Sequence, residues 1–458
     1  MKPFLLSEAV KAIGGRYVGD AAALDRAITS VTSDSRTAGP GALFVAFRGN
    51  RVDGHDFMAG CVGKGAVACV TEREPAEGEM PAIVVDSSLR AIGALAAWHR
   101  SRFDIPVVGI TGSVGKTTTK EMISAVLSQR FATHSTEGNH NNELGVPWTL
   151  LRLDEGHEVS VVEMGISDFG EMRRLTAMVR PSIAVFSVIG DAHLEFLGDR
   201  EGVLRAKGEI FESMDESGLA VLNGDDELLK NCRPNMRRVL YGCGGDCDVR
   251  GEAIKNLGED GIELTIRHRG GSFAAKIPAF GSHTVYAALA AAAVGLELGL
   301  TEAQIAAGIA DYHTVGDRAR VLHVGDLTVV SDCYNANPNS VRAALASLSA
   351  LKGRRVALLG DMLELGDGSD ALHAGVGCYA AELGIDLVVG CGPHSRYTAS
   401  AAKEGGANAL YFADKPALLA ALEDILRPGD CVLVKASLGM AFKEVVERIM
   451  TLHVSSGN

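Results

Sequence analysis

The sequence predicts an α/β protein of three domains, with a central phosphate-loop-type parallel sheet and a C-terminal doubly wound, Rossmann-like sheet. Three observations carry the prediction. The apolar run Pro106-Val107-Val108-Gly109-Ile110 passes through the turn Thr111-Gly112-Ser113-Val114-Gly115 into Lys116-Thr117-Thr118-Thr119-Lys120 and on to residues 121–127, which have helical apolar spacing. Strand, glycine-rich turn and helix in that order make a phosphate-binding loop. Residues 159–162, 183–188 and 219–222 are continuously apolar, as parallel strands buried on both faces require. From about Val315 onward, 328–330, 355–359, 387–389 and 431–434 are strand-like and alternate with helical patterns. That is the pattern of a doubly wound sheet, whose ligands sit at the carboxyl ends of strands.

The 458 residues suffice for about three domains of ~150 residues. Hydrophobic residues make up 47% and the net charge is −13. No basic face for nucleic acid is visible. An acidic chain still binds anions locally through backbone N–H groups. The nine cysteines are scattered; only Cys243 and Cys247 are close, without a second ligand pair, so buried thiols in a reducing compartment are expected rather than zinc. The N-terminus has too short an apolar stretch for a signal peptide, and the Ala-rich run 287–300 contains Glu297 and is too short to cross a bilayer. The expectation is a cytoplasmic protein without membrane insertion.

In chain order, the first block has short strands at 43–47, 66–70 and 83–85, closed by a helix at 89–102. Phe103-Asp104-Ile105-Pro106 is a linker, because Pro106 biases its predecessor away from helix. The second block starts at the phosphate loop. Its residues 240–280 are Gly-rich and alternate, as in Ile262-Glu263-Leu264-Thr265-Ile266, which suggests an antiparallel extension. Helices at 283–298 and 301–312 follow. In the third block a helix opens at Val341, with Ser340 or Asn339 as its N-cap. The domains are therefore 1–103, 104–314 and 315–458.

The loop glycines let backbone N–H groups point at an anion, and the helix N-terminus adds partial positive charge. Lys116 can reach β- and γ-phosphates, and the Thr117 hydroxyl can ligate Mg²⁺. Ile110 stands where the generic loop has its first glycine, which separates this loop from most GTPases and motor ATPases. Glu163 ends a strand where its carboxylate can meet a metal held by Thr117. In Asp191-Ala192-His193-Leu194-Glu195, His193 is a second metal ligand or a loop histidine satisfied by water. Lys207 is a surface lysine, or a neutral amine able to react with CO₂ to give an anionic carbamate. The segment 138–147, with Asn141 and Asn142, is dense in amides suited to a polar substrate. Asp332, Tyr334, Asn335 and Asn337 follow one late strand, Asp361 follows another, and Val434-Lys435-Ala436-Ser437 repeats the arrangement.

Together these residues resemble the Mur ligase family, ATP-dependent enzymes that add amino acids to the peptidoglycan precursor. The resemblance covers essentially the whole chain. Asn139 to Pro147, Ala192-His193-Leu194-Glu195 with Ala206-Lys207-Gly208-Glu209-Ile210-Phe211, Tyr334-Asn335-Ala336-Asn337-Pro338 and Leu359 to Gly366 are most similar to the branch that adds D-alanyl-D-alanine to a UDP-N-acetylmuramoyl-tripeptide. The Asp-Asn-Pro-Arg signature of the preceding branch is missing. The resemblance implies that Gly112, Ser113, Val114, Gly115, Lys116, Thr117 and Thr118 hold ATP. It implies two Mg²⁺ ions on Thr117, Glu163 and His193, with Lys207 carbamylated for the second, and Lys116, Lys207 and His193 as the catalytic set. It further implies that Ser33, Ser35, Arg36, Arg48, Gly49, Asp53, Gly54 and His55, in segments that include Asp34 and Asn50, bind the uridine diphosphate end. Arg318 or Arg320, with Asp332, would close over ATP. Asn141, Asn142, Tyr334, Asn335, Asn337 and Asp361 would face substrate, and the protein would act as a monomer. The family often places Asn where Thr284 and Ala287 stand, at its adenine contact, and Arg where Leu438 stands. A phosphate-loop switch protein is the competing reading. It would need a guanine-reading Asn-Lys-x-Asp, which the chain lacks, and addition of another amino acid or of glutamates is the rival among ligases.

Overall fold

The computed structural model describes residues 1–49 and 51–452, so Asn50 lies outside the described residues. The central sheet has nine strands in the order Gly271–Ile277, Ile262–His268, Val249–Asn256, Arg237–Gly242, Leu219–Asn223, Ile183–Phe186, Val107–Thr111, Val159–Glu163, Thr133–Ser135. The strands from Val249–Asn256 to Thr133–Ser135 are parallel, and the last two pairings, through Ile262–His268 and Gly271–Ile277, are antiparallel, the extension expected from the alternating pattern. Val107–Thr111 runs between its neighbours with Glu163 opposite Ile110 and Phe186 opposite Thr111. All three strands therefore end level with the glycine-rich turn. This register, and not sequence proximity, brings Glu163 to Lys116 and Thr117.

The helix Thr284–Glu297 is the buried Ala-rich run. Small residues let it and its successor Glu302–Ala310 lie close to the phosphate-loop helix Lys116–Leu127: a Cβ on Gly308 would stand 2.4 Å from the Val126 Cα. Among the described residues no helix is long and apolar enough to cross a membrane.

The C-terminal sheet has the order Arg320–Val324, Leu327–Ser331, Asp430–Lys435, Arg354–Gly360, Leu387–Cys391, Asn408–Phe412, parallel apart from its first pair. Ser331 pairs with Val434 and Leu359 with Lys435, so Asp332, Lys435 and Asp361 form one row of strand ends. The N-terminal sheet, in the order Arg16–Val18, Ala82–Val84, Ala68–Thr71, Ala42–Val45, Ser30–Thr32, is capped by the helix Ser88–Arg100.

Several strands escape the sequence pattern, among them Arg16–Val18, Ser30–Thr32, Thr133–Ser135, Arg320–Val324 and Asn408–Phe412. These five lie at sheet edges and are mostly exposed or half-exposed. The helix expected to open at Val341 starts earlier, as Pro338–Ser349, and its N-cap is Asn337 rather than Ser340 or Asn339. Proline at the first helical position has a pre-set φ and no N–H to leave unpaired, which moves the start forward.

Candidate active site

The phosphate loop is locked by its own geometry. Gly112 has φ 143, and a Cβ there would stand 2.0 Å from Ser187 Oγ. Gly115, at φ 81, precedes the helix Lys116–Leu127. The end of the next strand braces the turn from outside: Ser113 N donates to Val188 O at 2.8 Å, and Gly190 N to Ser113 Oγ at 3.0 Å. Lys116 folds back and donates to Gly112 O at 2.9 Å. Thr117 Oγ1 donates to Glu163 Oε2 at 2.8 Å, and Asn141 Nδ2 to Glu163 Oε1 at 2.7 Å. Sequence positions 117, 141 and 163 thus converge on one buried carboxylate.

These residues line a cavity of about 320 Å³ between the central and C-terminal sheets. Its lining includes Thr117, Glu163, His193, Asn141 and Asn142. Phe280, His283, Ala343, Ala344 and Ser347 line it too. Arg318, Asp332, Tyr334, Asn335 and Asn337 cover it from the C-terminal domain. The Arg318 guanidinium lies 3.6 Å from the Tyr334 ring centroid, a cation–π contact. Of the two candidate arginines only Arg318 lines the cavity; Arg320 is exposed at the start of its edge strand.

Lys207 is not on the surface. It is 1% exposed, and among the described residues it has no carboxylate within ion-pair distance. Burial, reinforced by the Lys116 charge and opposed by Glu171, pushes its pKa well below the ordinary lysine range. Burial also lowers Lys116, with Glu163 opposing and Arg318 adding to the shift. His193 is lowered first by burial and then by the Lys207 charge, with Glu364 acting the other way. Its Nδ1 lies 2.8 Å from Glu364 Oε2 but off the hydrogen-bonding direction, so this buried nitrogen has an acidic neighbour and no hydrogen bond. Hydroxyl, carboxylate and imidazole form a donor set that fits a divalent cation.

Not every expected residue comes to this cavity. Asp361 is 3% exposed and accepts from Ser395 N, Ser395 Oγ and His394 N at 2.7, 2.6 and 3.3 Å. Its oxygens are spent anchoring the helix Ser395–Glu404. In the N-terminal domain, Ser33 and Asp34 line a separate cavity with His140, Trp148 and Arg152. Ser35 and Arg36 follow in the same turn, where Arg36 chelates Asp34 and helps draw that carboxyl down to about 2. Gly49 N donates to Val52 O, and the Gly54 N–H to Phe47 O, closing the turn that carries Arg48 and Asp53, whose side chains pair at 3.3 Å. His55 Nε2 accepts the Glu72 N–H, so Nδ1 carries the proton given to Asp53. His55 is therefore a buried brace for that turn. Thr284 spends its hydroxyl on Gly281 O at 2.7 Å, and Ala287 is buried, so neither offers a polar group to the cavity.

Two functional candidates escaped the residue-by-residue reading. Lys435, at a strand end, reaches Asp332 Oδ2 at 2.6 Å and Asn335 O at 3.0 Å. Glu364 reaches His193 across the domain boundary. Their positions at strand carboxyl ends were visible, but their partners lie 103 and 171 residues away in the chain.

Three family models match consecutive stretches of the chain: "Mur ligase family, catalytic domain" at residues 27–100, "Mur ligase middle domain" at 110–295 and "Mur ligase, glutamate ligase domain" at 317–438. The chain belongs to the Mur ligase family. This Mur ligase is 37% identical to the UDP-N-acetylmuramoyl-tripeptide–D-alanyl-D-alanine ligase of Escherichia coli, over 94% of this chain and 96% of that one. It is 34% identical to the Bacillus subtilis protein of the same name, over 92% and 93% of the two chains. Among solved structures, MurF from Acinetobacter baumannii matches with a TM-score of 0.91 at 31% identity, covering 99% of this chain and 100% of that one. MurF ligase from Thermotoga maritima in complex with ADP matches at 0.82 and 28% identity, covering 92% and 97%.

Proposed function

We propose that this Mur ligase joins the amine of D-alanyl-D-alanine to the terminal carboxylate of a UDP-N-acetylmuramoyl-tripeptide, using ATP and releasing ADP and phosphate. The observation that carries the reading is that Lys116, Thr117, Glu163, Asn141 and His193 line one cavity, to which a second domain adds Arg318, Asp332 and Asn337. Near full-length identity to relatives of that name supplies the substrates. ATP would lie with its phosphates on the loop 112–118 and its base toward Phe280, His283 and Ser347. Mg²⁺ would be held by Thr117, Glu163 and His193, and a second ion by Lys207 as a carbamate. Bound there, the ions would neutralise phosphate charge. The uridine diphosphate end would meet the turns of Ser33–Arg36 and Arg48–His55. The division at 103/104 and 314/315 belongs to this reading and is supported by each large sheet lying within one span. A monomer working in the cytoplasm is part of the same proposal.

The chemistry follows from charge. A carboxylate is a poor electrophile, and phosphoryl transfer converts it to an acyl phosphate with a good leaving group. Lys116 and the loop N–H groups offset the repulsion between the carboxylate and the γ-phosphate. The acceptor amine then attacks, and phosphate leaves the tetrahedral intermediate. Arg318 and the asparagines of the C-terminal domain shut the cavity against water, which would hydrolyse the acyl phosphate. Phosphate release from ATP with the muramoyl tripeptide, with and without D-alanyl-D-alanine, tests the reading. The dipeptide should stimulate turnover only with the tripeptide precursor present and should beat L-alanyl-L-alanine by roughly two orders of magnitude. Equal rates with both dipeptides, or preferred addition of a single amino acid to a dipeptide precursor, would contradict it.

A further inference from the structure

The segment from Gly190 to Glu195 in the central domain touches the C-terminal domain at three points. A Cβ on Gly190 would stand 2.8 Å from Asn339 Nδ2, so the backbone and that amide are in close contact. Gly366 lies against Glu195, with 3.5 Å from its Cβ position to the Glu195 Cα. Between these contacts, Glu364 Oε2 stands 2.8 Å from His193 Nδ1. Both residues of the pair hold left-handed backbone, φ 57 at His193 and 62 at Glu364, a conformation costly for residues with a side chain. Two such residues facing each other across a domain boundary need packing from both sides to hold them, and the flanking contacts at Gly190 and Gly366 supply it.

We infer that Glu364 is a positioning residue for His193, delivered by the C-terminal domain. The Glu364 carboxylate already stands at hydrogen-bonding distance from Nδ1, and a small turn of either side chain brings it into line to accept that N–H. Once made, the bond selects the Nδ1–H tautomer, fixes the ring orientation and leaves Nε2 for a divalent cation. His193 lines the same cavity as Thr117 and Glu163, and in the proposed reading its Nε2 joins them as a donor. Because the carboxylate comes from the other domain, His193 is oriented as a ligand only while the two domains are together. Cation affinity and domain closure are thereby coupled, and each strengthens the other by the same factor. The inference rests on the proposed reading of His193 as a cation ligand.

Manganese titrations followed by EPR, on the full chain with a non-hydrolysable ATP analogue, test both levels. His193→Ala should weaken Mn²⁺ binding; unchanged affinity would overturn the ligand reading and the inference with it. Given that loss, Glu364→Ala should weaken Mn²⁺ by about 10-fold or more, the usual effect of removing such a partner. Glu364→Gln keeps an oxygen acceptor and should restore most of the affinity. In turnover assays Glu364→Ala should raise the Mg²⁺ concentration needed for half-maximal rate while leaving the rate at saturating Mg²⁺ within a few-fold of wild type. Wild-type Mn²⁺ affinity in Glu364→Ala, or an equal loss in Glu364→Ala and Glu364→Gln, would overturn the role of Glu364 and leave the reading of His193 standing.

Discussion

Lys116 and Lys207 are both lysines near one cavity, and their surroundings assign them different work. Lys116 sits at the start of a helix with a carboxylate, Glu163, acting to keep it charged. Lys116→Ala should therefore cut ligation by about two to three orders of magnitude, the scale of losing a fixed charge-stabilising group. The unfolding midpoint should stay near wild type, because the side chain bonds only its own loop. Rapid turnover by the folded variant would contradict the assignment. Lys207 is fully buried beside the Lys116 charge with only Glu171 opposing, and its pKa falls well below the ordinary lysine range, toward the neutral amine that reacts with CO₂. Carbon NMR of the enzyme in ¹³C-bicarbonate should show a carbamate resonance that Lys207→Arg removes together with activity. A free amine in active enzyme would refute carbamylation.

Among the helices, Pro338–Ser349 joins folding and function in one residue. The Asn337 side-chain oxygen accepts from Ser340 N at 2.9 Å, while Ser340 Oγ accepts from Asn337 N at 3.0 Å, a reciprocal cap. Its amide nitrogen remains free to face the cavity, which Asn337 lines. Asn337→Ala should cost about 1 kcal/mol of stability, the typical value of an N-cap. Asn337→Asp keeps the cap oxygen and should hold the urea midpoint near wild type while lowering ligation. If Asn337→Asp were fully active, the residue would be a cap and nothing more. The sequence pointed to a cap in this segment but chose Ser340 or Asn339. Side chains of several adjacent residues can all accept an N–H, and only the backbone turn at Pro338 selects among them.

Across the whole molecule, two buried histidines make stability depend on pH. His99, on the helix that closes the N-terminal domain, meets Leu153 O of the central domain at 3.0 Å through Nε2. Burial lowers its pKa to about 4, the Leu153 carbonyl opposing and Arg102 adding to the shift. His134 is lowered to about 3, first by burial and then by His157. Both are neutral in the folded chain and take up protons near pH 6.5 when unfolded. The unfolded state binds more protons below that pH, so stability is complete above 6.5 and is lost as pH falls toward 4 and 3. Each histidine adds a slope of at most about 1.4 kcal/mol per pH unit. Urea midpoints at pH 7.5 and 5 should fall on acidification; a constant or rising midpoint would contradict this.

Periodicity and turn chemistry were enough to reveal the phosphate loop, the central parallel strands and the late doubly wound sheet. Those signals are local: apolar continuity of a strand buried on both faces, and glycines where the backbone must curl. Edge strands such as Ser30–Thr32 stayed hidden because they have one neighbour and little apolar patterning. Residue types also nominated Glu163, His193 and Asn141, but not their meeting, which is set by strand register and by the cavity between two domains. Asp361 followed the same strand-end rule as Asp332, yet the fold turned it inward to hold a helix. Lys207 read as surface or site, and burial excludes the surface alternative. Which polar groups face a common space depends on how distant segments pack, and a one-dimensional pattern carries no distance between residues 171 positions apart, such as His193 and Glu364.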